Sequence, residues 1–160
     1  MTEARKMKIG GILVSRDLGM ISILGTPHQP GTAGVVLEVI GAAAINVEFI
    51  SCCPDSGGGD NIVICIGRDR LEDGMQRMDG VRDRIHSARI STTETLVAVS
   101  VFGPHFREIP TVAGQIFRAL ADVGVNILAI STSISSVTSV FDQALLDSAL
   151  DSLRRRFEVG

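Results

Sequence analysis

Tryptophan and tyrosine are absent from the 160 residues, and six phenylalanines are the whole aromatic complement. Single-stranded nucleic acids are gripped by aromatic side chains that stack on bases, so the absence argues against that role. The balance of 15 Lys+Arg against 18 Asp+Glu gives a net charge of −3 and leaves no basic footprint for nucleic acid. No apolar run approaches the ~20 residues that a membrane helix needs. Met1 to Lys8 is polar and charged, without the apolar stretch of a signal peptide, so the expected location is the cytoplasm.

Cysteine is scarce too. Cys52, Cys53 and Cys65 are odd in number and two are adjacent, which is a poor disulfide framework. A metal site needs thiolates at ligand spacing with a histidine partner. His28, His86 and His105 are scattered instead, so the cysteines read as structural thiols in strands. No Gly-x-Ser-x-Gly elbow is present, so Ser131, Thr132 and Ser133 read as strand-end hydrogen bonders. Gly57-Gly58-Gly59 lacks the Gly-Lys-Ser/Thr ending of a phosphate loop.

What is present is an ordinary globular composition, 45% hydrophobic and 21% charged, and an internal duplication. Ile45-Asn46-Val47-Glu48-Phe49-Ile50-Ser51 returns as Val125-Asn126-Ile127-Leu128-Ala129-Ile130-Ser131. Pro30-Gly31-Thr32-Ala33-Gly34 returns as Pro110-Thr111-Val112-Ala113-Gly114. Upstream, Leu24-Gly25 matches Phe102-Gly103, so the second copy carries a short insertion between Pro104 and Ile109.

The periodicities predict the elements. Met20 to Leu24, Ile45 to Cys52, Ile62 to Ile66 and Ile85 to Ile90 read as strands of the first copy. Helices are expected over Thr32 to Ala44 and Leu71 to Met78. The second copy offers strands over Leu96 to Phe102, Val125 to Ser131 and Val137 to Phe141. Its helices span Pro110 to Val123 and Ala144 to Phe157, with Arg154-Arg155-Arg156 in the last turn, where cations suit the helix dipole. Asp69, Glu72 and Asp73 begin a helix for the complementary reason.

Strand, helix, strand, strand, helix, strand is the ferredoxin-like order, an α+β fold of antiparallel sheets with helices on one face. The second copy leaves no room for a fourth strand after its last helix, while Lys8 to Val14 supplies a strand before the first copy. The expectation is that this N-terminal strand completes the second sheet. The units are then 18–92, inserted, and 7–15 plus 93–160.

Gly25-Thr26-Pro27-His28-Gln29-Pro30-Gly31 followed by Ile45-Asn46-Val47 resembles the first ACT unit of aspartokinases. Val123-Gly124-Val125-Asn126-Ile127-Leu128-Ala129-Ile130-Ser131-Thr132-Ser133 resembles the second, and the resemblance runs from about Gly10 to Val159. It implies two ACT units without a kinase domain: a non-catalytic, cofactor-free module that binds an amino acid and regulates a partner enzyme of amino-acid metabolism. It also implies side-by-side sheets and a homodimer, with no nucleic-acid or membrane partner.

The residues implied as effector-binding are His28, Gln29, Gly31, Thr32, Ala33, Asn46, Val47 and Cys52 in the first unit. In the second they are Val112, Ala113, Gly124, Asn126 and Ile127. Three positions depart from the family pattern: His28 stands where an acidic residue is usual, Ile134 where Glu is, and Thr111 where Gly is. An acid for a lysine ammonium is missing at His28, so threonine or another small neutral or aliphatic amino acid is favoured over lysine. The alternatives are the regulatory subunit of a split aspartokinase, a ligand-free structural dimerisation module, and an enzyme on a ferredoxin-like scaffold.

Overall fold

The computed structural model describes residues 6–87, 89–104 and 106–160, the side chain of Arg107 excepted. The chain forms two compact units, a central one, Asp17–Leu96, and a terminal one built from the residues up to Arg16 and from Val97–Gly160. The strands are β1 (Met7–Ile9), β2 (Gly11–Pro27), β3 (Val47–Pro54), β4 (Gly59–Gly67), β5 (Arg89–Phe102), β6 (Ala129–Thr132), β7 (Ser136–Asp142) and β8 (Phe157–Val159). The helices are α1 (Thr32–Ala42), α2 (Leu71–Ile85), α3 (Val112–Ala121) and α4 (Leu146–Arg156). The fold is α+β, and β2 and β5 each contribute residues to both units.

In the central unit the sheet order is β3-β4-β2-β5. β4 lies antiparallel to both β2 and β3, with Ile64 opposite Ile21 on one side and opposite Ile50 on the other. Ile62, Ile64 and Ile66 alternate along β4 and are essentially inaccessible. They share a core with Ile21 and Ile23 of β2, with Val36 and Ile40 of α1, and with Leu71, Met78, Val81 and Ile85 of α2. These helix positions recur at three-, four- and seven-residue steps, which is one face of each helix. Gly74 lets α2 approach, because a Cβ there would stand 2.7 Å from Ile66 Cδ1.

The terminal unit carries the order β2-β5-β7-β6, with β6 antiparallel to β7. Its core joins Val97, Val99 and Val101 of β5 to Val112, Ile116 and Leu120 of α3 and to Leu146, Ala149, Leu150 and Leu153 of α4. Ser152 donates from Oγ to the Ala119 carbonyl at 2.7 Å, tying the two helices together. A separate parallel ribbon pairs β1 with β8, Met7 opposite Phe157 and Ile9 opposite Val159.

The observed elements depart from the sequence expectation in four places. Lys8 to Val14 is not one strand: the ladder breaks at Gly10, whose amide donates to the Phe102 carbonyl at 2.7 Å, and the remainder belongs to a 17-residue β2 that runs on through Met20 to Leu24. The N-terminal β1 pairs with β8, whereas residues of β2 lie beside β5. A strand does follow the last helix: Phe157 leaves α4 with extended backbone, because its buried ring completes the core. Ile85 ends α2 rather than starting a strand; with Leu71, Met78 and Val81 it completes one apolar helix face, and His86 closes the helix in the left-handed conformation. Residues 125–128 precede β6 rather than lying in it.

Two substitutions check this account. Ile64→Ala opens a cavity where α1, α2 and β4 meet and lowers stability by about 2–5 kcal/mol. It shifts the urea midpoint while leaving the denaturant slope unchanged. Thr95 is a β-branched residue held at φ 60° in the central unit. That conformation costs about 1–2 kcal/mol, more than the roughly 0.5–1 kcal/mol that glycine gives up in chain entropy. Thr95→Gly is expected to raise the thermal midpoint; a lower midpoint would show that the threonine side chain makes up the difference.

Candidate functional site

The loop from β2 into α1 enters the helix through Gly31, which adopts φ 99° and ψ −16° and caps the helix without a side chain. That left-handed conformation is what a glycine tolerates and a branched residue does not. The first helical bond is Val35 N–H to the Gly31 carbonyl, 3.0 Å. By helix geometry the amides of Thr32, Ala33 and Gly34 then have no intrahelical acceptor. Among the described residues no side chain caps them, and no acidic residue stands in the first turn. The counterpart α3 likewise begins without a side-chain cap or an acid. The contrast is with α2, which carries Glu72 and Asp73 in its first turn, and α4, which carries Asp147. The dipole charge is thus met from within the chain at two helix starts and left for something else at two.

The stretch that leads into the helix is held against β4. Thr26 sits opposite Asp60 and Pro27 opposite Gly59, beyond an irregularity that follows Ile23. Thr26 donates from Oγ1 to the Asp60 carbonyl at 3.1 Å, and the Gly25 amide donates to Asn61 Oδ1 at 3.1 Å. His28 Nδ1 lies 2.9 and 3.0 Å from the two oxygens of the Asp60 carboxylate. The histidine side chain is 73% exposed and the aspartate only 14%. Thr32 Oγ1 donates to the Gln29 carbonyl at 3.4 Å and closes the loop. Cys52 opposes Ile62 and Cys53 opposes Asn61, which brings the vicinal thiols to the same end of the sheet. Burial holds the Cys52 thiol above its ordinary pKa, and the Asp60 charge and Cys53 add to the effect.

Of the residues singled out in the central unit, the structure gathers His28, Gln29, Gly31, Thr32, Ala33 and Cys52 at this end. It does not bring Asn46 and Val47 there. Five residues of strand, roughly 16 Å, separate Val47 from Cys52. Asn46 is exposed beyond the C-terminal end of α1, donating from Nδ2 to Glu48 Oε1 at 2.8 Å.

The terminal unit divides in the same way. Val112 and Ala113 begin α3, whereas Gly124, Asn126 and Ile127 follow its other end, about 15 Å of helix away. The Val112 amide is already bonded to the Ile109 carbonyl at 3.1 Å. Thr111, in place of glycine, keeps right-handed backbone and accepts from Gln115 Nε2 at 3.4 Å.

Asp60 and Asn61 escaped the sequence reading. Nothing local marks them, and only their register opposite Thr26 and Gly25 assigns them to the loop. The arginines at the end of α4 are engaged in part: Arg156 pairs with Asp122 at 3.5 Å, and Arg154 approaches Asp151 at 3.9 Å. Asp73 receives Arg70 Nη2 at 2.9 Å and Arg77 Nε at 3.0 Å, and these hydrogen bonds hold its carboxyl below the usual carboxylate range.

Comparison with known proteins shows what the chain is similar to. Residues 99–157 match the ACT domain. An aspartate kinase of Stutzerimonas stutzeri is 28% identical over 151 residues, which is 94% of this chain and 37% of that protein. An aspartokinase of Mycobacterium tuberculosis is 28% identical over 152 residues, 94% of this chain and 36% of its own length. The chain therefore spans little more than a third of the curated relatives it matches. Among solved structures, one of aspartokinase alpha and beta subunits aligns with a TM-score of 0.83 at 28% identity, covering 92% of this chain and 97% of that one. The regulatory subunit of aspartate kinase from Thermus thermophilus shares the fold, with a TM-score of 0.84 at 23% identity over 94% and 99% of the two chains.

The thiols give a test of the site's surface. Cys52 and Cys53 are exposed and Cys65 is buried, with its pKa pushed up to about 12 by burial. In the folded protein a thiol reagent should titrate two groups quickly and the third only on unfolding. Below the ordinary thiol value of 9.0, Cys65 is protonated in both folded and unfolded states. Between that value and about 12 the unfolded chain releases a proton that the folded one keeps. Stability should therefore fall as pH rises above 9, and less so in Cys65→Ala.

Residues 99–157 thus match the ACT domain, and the chain as a whole resembles the regulatory part of aspartokinases, with no kinase domain among these 160 residues.

Proposed function

We propose that this chain is a non-catalytic regulatory module whose effector is an amino acid, with threonine or another small neutral one favoured over lysine. One observation carries the reading: the bare, glycine-entered start of α1, which offers unpaired amides and a positive dipole end to a carboxylate. The start of α3 shares the lack of a cap and of acids, but its first amide is occupied, so the central unit is the stronger binder.

The regulated activity is that of an aspartokinase, acting as part of the same protein or as a separate subunit. The separate-subunit reading is supported by the 97% coverage of one chain in the structure of alpha and beta subunits. Two copies pair through sheet edges in this proposal. β3 and β6 are edge strands, and Ile50 and Ile130 on them are 37% and 43% exposed. An apolar edge of this kind invites another strand.

The test is a thermal-unfolding screen against the twenty amino acids, read by calorimetry or an external dye because the chain has no Trp or Tyr. A ligand at 100 times its dissociation constant adds about 2.7 kcal/mol, a shift of several degrees at this size. Gly31→Asp places a carboxylate where the effector's would lie and should abolish the shift. Absence of any shift with all twenty would overturn the amino-acid reading and leave a structural dimerisation module.

A further inference from the structure

The central unit has an unusual charge inventory. From Asp17 to Gly67 there is no lysine and no arginine, while Asp17, Glu38, Glu48, Asp55 and Asp60 are acidic. His28 is the one basic side chain in that stretch. The structure places it on Asp60, with Nδ1 at 2.9 and 3.0 Å from the carboxylate oxygens.

The two partners are unequally placed. Asp60 is rigid: its carbonyl accepts from Thr26 Oγ1, it pairs with Thr26 on one strand and with Pro54 on the other, and its side chain is 14% exposed. His28 sits on the loop and is 73% exposed. It carries a full positive charge only when protonated. Removing the ring from the carboxylate costs little, since the histidine side of the pair lies in solvent, where such contacts are weak. A carboxylate so held, covered by one exchangeable side chain, suits an incoming ammonium.

The other acid at this end is already satisfied. Asp55 Oδ1 accepts from the Gly57 amide at 2.6 Å and the Gly59 amide at 2.9 Å. Among the described residues at this end, that leaves one carboxylate to receive one positive group.

We propose that Asp60 is the residue that receives the ammonium of the amino-acid effector, and that His28 is its exchangeable cover, displaced when the effector binds. This rests on the amino-acid reading above and adds its cation-recognising half. It also gives a reason for a neutral effector, because a zwitterion brings one ammonium, whereas lysine would bring a second that no further acid at this end meets.

The experiment is calorimetric titration of the 160-residue chain with each of the twenty L-amino acids. The best binder is then compared with its 2-hydroxy acid, which keeps the carboxylate and side chain but has no ammonium. Asp60→Asn is expected to weaken the amino acid by roughly tenfold or more, the worth of a hydrogen bond to a charged partner. The same variant should hold or improve the 2-hydroxy acid, because a repulsive charge has gone. A misfolded variant would lose both, so the exchange of preference separates recognition from structural damage. His28→Ala should bind at least as tightly as the parent, and Glu38→Gln, which removes another acid of the same stretch, should bind unchanged. If the parent binds an amino acid and Asp60→Asn binds it equally well, or weakens both compounds alike with its thermal midpoint unchanged, Asp60 is not the ammonium partner while the amino-acid reading stands. Strong loss of affinity in His28→Ala would make His28 a ligand contact and overturn its role as a cover. If the parent binds none of the twenty, both readings fall together.

Discussion

The register of β4 is the constraint on which the central unit depends. Ile62, Ile64 and Ile66 must all face the helices, and a shift of one residue would turn them to the other face. With that register set, Ile64 stands between Ile21 and Ile50, and the same ladder fixes Asp60 opposite Thr26. The polar end of the sheet is thus positioned by the apolar middle. A carboxylate, two thiols and the loop into α1 converge because isoleucines several residues away have one acceptable packing.

The four helix starts show how charge is distributed over this scaffold. α2 and α4 begin with carboxylates of their own, and α4 ends in three arginines, so the dipoles are answered internally. α1 and α3 begin with no acid and no side-chain cap, immediately after the loops that the duplication preserves. The duplication did not keep the two starts equal. Gly31 turns into α1 with left-handed backbone and leaves the first amides open, while Thr111 continues right-handed and Ile109 takes the first amide. The change from Gly31 to Thr111 at the cap gives the two related units different helix starts.

Much of the fold was legible from pattern. The apolar spacing of Val36 and Ile40, of Ile116 and Leu120, and of Leu146, Leu150 and Leu153 marks helix faces, and each is buried as that spacing demands. Errors arose where local signal ran out. Ile85 carries strand propensity because it is β-branched, yet burial on the core-facing side of α2 outweighs that propensity. β8 is three residues long and follows three arginines, too short for any periodicity to announce. Merging of Met20 to Leu24 into a strand that starts at Gly11 depends on hydrogen bonds to distant strands, which a window along the chain does not see.

The site divides along the same line. By itself the sequence determined the duplication, the core faces, the Pro-Gly turn into the first helix and the absence of acids there, because each is a property of neighbouring residues. It also carried the family resemblance that the ACT match and the aspartokinase relatives bear out. Only the tertiary structure decided which of the repeated residues share an end. Asn46 and Val47 recur with the motif yet lie at the far end of the strand, and Asp60, with no motif around it, stands against His28. The physical reason is that strand pairing joins residues separated by 32 positions, and its register is set by the summed packing of a whole sheet.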